Sequence, residues 1–360
     1  MDFLARPPLC TTEDVTLLPG LGLLSSRADA NMSPLFYNAP MDTVASVKLL
    51  QAMLDNGEFA VIDRRLHEND PEGYVDFVKR NFRNPRLWFS TGLQDPPELF
   101  QRLVNIFENH QDTEDEKECK INILVDIAHG HTLDALATYV RLRALDIVGG
   151  LMSGSICTAE AARDCVRAGC THLRVGVGPG AVCTTRIMTG FGVPNLSAVY
   201  MVHKAVGDGI EIIADGGIKE SGQVVKYLAA GATGVMLGTL LAGTLESGGW
   251  KSQAPKQPLV FDPLNPPSPI LIKRHRGQAS DEYQKDYGCS RLSTEGVGMW
   301  IEWDGTTVDN LLERWRGSIQ SGISYAGVKD IKDINPAKMS KQLVRITPSA
   351  YIEGTPHGNT

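Results

Sequence analysis

Short apolar runs recur along the chain at intervals of mostly about twenty to thirty-five residues, and amphipathic stretches fill the gaps between them. The runs fall near 35–41, 59–63, 87–92, 122–127, 151–156, 172–177, 210–215 and 234–239. Each interval holds one helix and two loops, which predicts βα units feeding a parallel sheet. Eight alternations with no second domain left over predict a single (β/α)8 barrel over 1–360, an α/β fold whose active site lies where the strands end. The first thirty residues, broken by Pro7, Pro8, Pro19 and Gly20, read as an irregular arm. Residues 250–269, with six prolines, read as an irregular surface insertion, and the acidic stretch 112–118 as a solvated helix end or loop.

The unusual residues gather at the predicted strand ends. The first strand ends Ala39-Pro40-Met41-Asp42-Thr43, the fourth Asp126-Ile127-Ala128-His129-Gly130-His131, the fifth Ser153-Gly154-Ser155. The sixth runs into the longest such stretch, Arg174 to Pro194, where Gly176, Gly178 and Gly180 lead to Cys183 at the tip and Thr184 and Thr185 behind it. Glycines let the main chain approach a ligand closely, and a cysteine without a bulky neighbour in front suits a nucleophile that attacks a flat ring. The plain alternative is a Gly-rich turn carrying a half-buried cysteine. The seventh strand ends Asp215-Gly216-Gly217 and the eighth Gly238-Thr239. A carboxylate there can accept from two adjacent ribose hydroxyls, while Gly217, Gly238 and Thr239 make the usual barrel phosphate site. His129 and His131 have no third ligand at matching spacing, so a metal pair is not supported.

Composition narrows the ligand. A formal net charge of −7 gives no sign of a nucleic-acid or membrane surface, so a nucleotide would be a small molecule in a pocket. Seven cysteines without a Cys-x-x-Cys spacing speak against a disulfide framework and for a reducing, cytoplasmic setting. No signal peptide opens the sequence, and no apolar run approaches eighteen residues.

The string from Arg174 to Pro194 resembles the catalytic loop of the IMP dehydrogenase and GMP reductase superfamily, and the likeness extends from residue 12 to about 347. It implies that Cys183 bonds to C2 of a purine nucleoside monophosphate and that Thr185 contacts the reacting group. Asp126, Ile127, Ala128, Gly176 and Gly178 would line a nicotinamide cofactor. Met41, Ser155, Arg174, Ala181, Asp215, Gly216, Gly217, Gly238, Thr239, His275, Gly277, Gln278, Ala279 and Gly296 would hold the nucleotide. Arg276 to Gln284 and Ser318 to Gly327 are similar to the short bacterial GMP reductases, with a flap over 276–310 and no inserted regulatory domain. IMP dehydrogenases carry a longer flap with an Arg-Tyr pair that helps activate water; no such pair occurs between Ser280 and Glu295. Glu295 matches the glutamate that pairs with the threonine, a proton relay for departing ammonia.

The resemblance thus implies NADPH-dependent reductive deamination of GMP (or dGMP) to IMP, and a homo-oligomer, a tetramer or two stacked tetramers. The alternatives are an IMP dehydrogenase without its insert, or a catalytically silent purine-nucleotide sensor. Ser155 stands where the family has asparagine, Ala181 where it has serine, and His275 where it has a phosphate-contacting tyrosine. An imidazole at 275 is expected to gain charge beside a phosphate. Val344-Arg345-Ile346 and Glu353 to His357 resemble the dehydrogenase tail that completes a potassium site with the carbonyls of Gly178, Gly180 and Cys183 in a neighbouring subunit; a frayed polar tail is the other reading.

Overall fold

The computed structural model describes residues 9–94, 96–107, 120–254, 270–288 and 294–354. A short strand, β1 (Val15–Leu17), precedes eight that form the body of the molecule. These are β2 (Phe36–Asn38), β3 (Ala60–Ile62), β4 (Leu87–Thr91), β5 (Ile121–Val125), β6 (Val148–Ile156), β7 (His172–Val175), β8 (Glu211–Asp215) and β9 (Gly234–Leu237). They pair in parallel in the order β2-β9-β8-β7-β6-β5-β4-β3, and a bridge between Tyr37 and Phe59 joins the two ends into a (β/α)8 barrel. All eight predicted strands are present, each within about three residues of its expected bounds.

Two apolar cores follow from the strand period of two. Leu173, Val175, Leu151, Ile123 and Phe89 point outward against the helices. Tyr37, Val61, Trp88, Leu124, Met152, Ile213 and Met236 point inward and fill the barrel. β7 is the exception. Its inward positions are His172, packed edge-on against Trp88 at 4.6 Å, and Arg174, so one strand sends polar side chains into an otherwise apolar interior. Hydroxyl caps start the helices just past the strands: Ser46, Thr132 and Thr158 each accept from the backbone three residues on. Each such cap stabilises its helix by about 1 kcal/mol.

Two expectations change. The arm is not wholly irregular, because β1 pairs antiparallel with β13 (Leu343–Arg345) near the other end of the chain. Nor is 250–269 wholly an excursion. β10 (Lys251–Ala254) pairs with β11 (Ile270–Arg276), which pairs in turn with β12 (Gly298–Trp303). Both pairings are non-local and short, which is why periodicity missed them. The rest of that insertion, 255–269, lies outside the described residues, as does 112–118. Among the described residues no helix is long and apolar enough to cross a membrane.

Candidate active site

β7 leaves the barrel at Gly176, whose missing side chain lets the Asp215 carbonyl approach. Gly216 holds φ +92, and a Cβ there would meet Pro179 Cγ at 2.8 Å, so the loops after β7 and β8 are locked face to face. The cysteine loop is also stitched to the flap. Thr184 N–H donates to the Glu295 carbonyl (2.9 Å), Val297 N–H to that of Val182 (2.9 Å), and Cys183 bridges Gly296. Glu295 N–H donates to Ala279 (3.2 Å). These backbone bonds set the Glu295 side chain against the loop. The Cys183 thiol then donates to Thr185 Oγ1 (3.2 Å), and the Thr185 hydroxyl donates to Glu295 Oε2 (2.9 Å). The result is a directed chain from sulfur to carboxylate, each member half-buried.

Beside it lies a buried ionic knot. Arg174 donates to Asp126 Oδ1 (2.6 Å) and Ser155 Oγ (2.9 Å), and its Nε lies 3.6 Å from Asp215 Oδ2. Burial raises the Asp215 pKa, and the Arg174 charge opposes that rise. Asp126 Oδ2 is buried and takes no hydrogen bond among the described residues.

These groups line one cavity of about 300 Å³ at the C-terminal mouth of the barrel. Of the expected site residues, Met41, Asp126, Ile127, Ala128, Ser155, Arg174, Gly176, Gly178, Gly180, Cys183, Thr185, Asp215, Gly216, Gly277, Gln278, Ala279, Glu295 and Gly296 border it. Ala181, Gly217, Gly238 and Thr239 do not. Glu353 ends an exposed helix, Pro348–Glu353. His131 bonds Asp164 (2.9 Å), which accounts for one of the two histidines after β5. Among the described residues no group of three or more His, Cys, Asp or Glu is placed to hold a metal ion.

His275 departs from expectation. Its ring is 1% exposed, with Nδ1 2.9 Å from Thr43 Oγ1 and Nε2 3.2 Å from Thr239 Oγ1. Burial, helped by the Lys273 charge, pushes its pKa down to about 4. The imidazole therefore stands neutral behind Thr239.

Sequence reasoning passed over two residues at the end of β3. Arg64 lines the cavity, and Asp63, 1% exposed, accepts from Arg65 N–H (2.9 Å) and from Gln278 Nε2 (3.2 Å). The strand-end rule that found the other site residues points to both.

Residues 24–357 match the model of the IMP dehydrogenase / GMP reductase domain. The chain belongs to that family. It is 37% identical over 245 residues to an inosine-5′-monophosphate dehydrogenase of Halalkalibacterium halodurans, covering 65% of this chain and 47% of that protein. Identity is also 37% over 264 residues to the Thermoplasma acidophilum protein of that name, covering 71% and 50%. It is 33% over 373 residues to that of Streptococcus pyogenes, covering 94% and 70%. The chain thus spans about half the length of the first two relatives.

Proposed function

We propose that this chain is a GMP reductase, an NADPH-dependent enzyme that converts GMP to IMP and ammonia. The observation that carries the reading is the Cys183–Thr185–Glu295 chain, set under a flap whose residues 281–294 include no Arg-Tyr pair for activating water. Cys183 loses its proton along Thr185 toward Glu295, and its sulfur attacks C2 of the purine. The C2–N2 bond then breaks as protons return through the Thr185 hydroxyl to the departing nitrogen, which leaves as ammonia. When bound, NADPH supplies the hydride that C2 gains as the C–S bond breaks and the thiolate leaves. Asp126 fits the nicotinamide end, since its orphaned Oδ2 can accept from a carboxamide N–H, with Ile127 and Ala128 beside it. Asp215 would accept from the ribose hydroxyls, with Gly217, Gly238 and Thr239 around the phosphate. The assembly proposed is a homo-oligomer in the cytoplasm, with Gly178, Gly180, Cys183 and a neighbour's Glu353 as the holders of any potassium ion.

A second reading, IMP dehydrogenase, is favoured by the names of the relatives and by the stretch from Val344 to Glu353. Incubation with GMP plus NADPH, and separately with IMP plus NAD, decides between the two. The reductase consumes NADPH only in the first; steady XMP formation in the second overturns it. Cys183→Ala should reduce either turnover by at least about four powers of ten while nucleotide binding persists.

A further inference from the structure

Behind Thr239 lies a buried charge that the mechanism does not use. Lys273 on β11 is 0% exposed, and its stem runs past Gly249, where a Cβ would stand 3.3 Å from its Cε. Nζ donates to the Thr43 carbonyl (2.6 Å), the Ala242 carbonyl (2.9 Å) and Ser247 Oγ (2.6 Å), which uses every hydrogen of an ammonium group. The Ser247 hydroxyl gives its own hydrogen to the carbonyl of Ala242 (2.8 Å) or Thr244 (2.7 Å), so it meets Lys273 as an acceptor. The surroundings are thus built for the charged form, yet among the described residues no carboxylate forms an ion pair with it. Lys251, directly across on β10, repels the charge, and β12 faces it with Ile301. Asp42 attracts it, but Asp42 Oδ2 is held by Arg276 at 2.6 and 3.0 Å. His275, on the same strand face, is neutral. Burial, helped by Lys251, pushes the Lys273 pKa down to about 7. Buried charges ordinarily have a partner, and this one lacks it within the chain described.

Both of its backbone contacts lead to Thr239. Ala242 closes the helical turn that Thr239 opens, and Thr43 bonds His275, which bonds Thr239 in turn. We propose that the 5′-phosphate of the bound nucleotide is the counter-ion of Lys273, which acts from behind Thr43 and the Thr239–Ala242 turn and favours a dianionic group there. This rests on the nucleotide reading above. Lys273 touches no ligand in this scheme; it is a positioning residue whose charge acts across a poorly screening protein wall. In the free protein the ammonium proton is lost as pH rises through 7, whereas a bound dianion holds it to higher pH. Nucleotide binding above pH 7 therefore takes up a proton.

The test is direct binding of GMP and of guanosine, which lacks the phosphate, to wild type, Lys273→Met and His275→Tyr. The ratio of the two affinities removes any titration of the base, the ribose or their contacts. In wild type the preference for GMP should fall roughly tenfold between pH 7 and 8.5, the effect of one linked proton. Lys273→Met should flatten that slope, and His275→Tyr should keep it. Calorimetry on wild type at about pH 8, where a free phosphate monoester is already dianionic, should count about one proton taken up with GMP and none with guanosine. That count decides should Lys273→Met fail to fold. A preference that does not change with pH, a slope that survives Lys273→Met or is lost in His275→Tyr, or equal proton counts for the two ligands overturns the proposal and leaves the nucleotide reading standing. Failure of wild type to bind either ligand overturns both.

Discussion

Two threonine hydroxyls near the barrel mouth each belong to a chain of three polar groups with nearly the same spacings. Thr185 sits between the Cys183 thiol and the Glu295 carboxylate at 3.2 and 2.9 Å. Thr239 ends a chain through His275 to Thr43 at 3.2 and 2.9 Å. Distance does not tell them apart; the terminal groups and their burial do. The first chain is half-buried and joins a thiol to a carboxylate, so a proton can leave at one end and arrive at the other. The second is closed around an imidazole that burial keeps neutral, so its hydrogens stay where they are and orient Thr239. What stands behind a hydroxyl decides whether it can pass a proton on or only hold its own.

The comparison breaks first at Glu295. Glu295→Gln should lower the deamination rate about 10²–10⁴-fold, and Thr185→Val should do much the same. As one unit the two are non-additive, so the double variant should be little worse than either single one; independent losses in single-turnover assays would dissolve the relay.

Asp63 tests the rule that burial governs protonation. Burial raises its pKa to about 7, against a backbone hydrogen bond from Arg65 that lowers it. The folded state therefore holds this proton more tightly than the unfolded chain, whose carboxyl titrates near 3.9. Stability from the protonated form is complete below about pH 4 and is lost as pH rises toward 7. Relative to Asp63→Asn, wild type should lose roughly 2–4 kcal/mol across that window. Parallel urea midpoints for the two proteins at pH 4.5 and 7.5 would contradict it.

The fixed chain should show its character as a loss of affinity alone. Thr239→Val should weaken nucleotide binding about tenfold with kcat nearly unchanged, since the hydrogen bond proposed to the phosphate goes and no proton path does. A drop in kcat matching that of Thr185→Val would make the two threonines equivalent.

The smallest effect expected is none at all. With His275 at about pKa 4, nucleotide affinity in wild type should show no histidine-dependent change from pH 6 to 9. A titration centred between pH 6 and 8 that vanishes in His275→Tyr would show that the ring charges after all.

How far the sequence could be read follows from the range of the interactions. β2 to β9 are legible because each barrel strand is a short apolar run bounded by turn residues, and the site is legible because barrel function sits at strand ends. Cys183, Thr185 and Glu295 were assigned from motif likeness, and backbone pairing between Val182–Thr184 and Glu295–Val297 is what brings them together. The role of His275 was not legible. A histidine in the sequence carries no sign of the Thr43 and Lys273 that surround it, and these set its charge. Asp63 was missed for want of a partner, since Gln278 lies 215 residues on. β1 and β13 are only three residues each and find each other across nearly the whole chain.

The pairing of β10 with β11 places Ala254 directly across from Ile270. The described ends on either side of positions 255–269 therefore lie side by side, at the end of a ribbon whose other strand carries the chain on to the flap. Such a junction is insensitive to length, because doubling a closed loop costs only about 0.6 kcal/mol. That makes it a natural graft point: a tight turn, a purification tag or a whole fluorescent domain could replace the segment while the ends of the ribbon stay where they are.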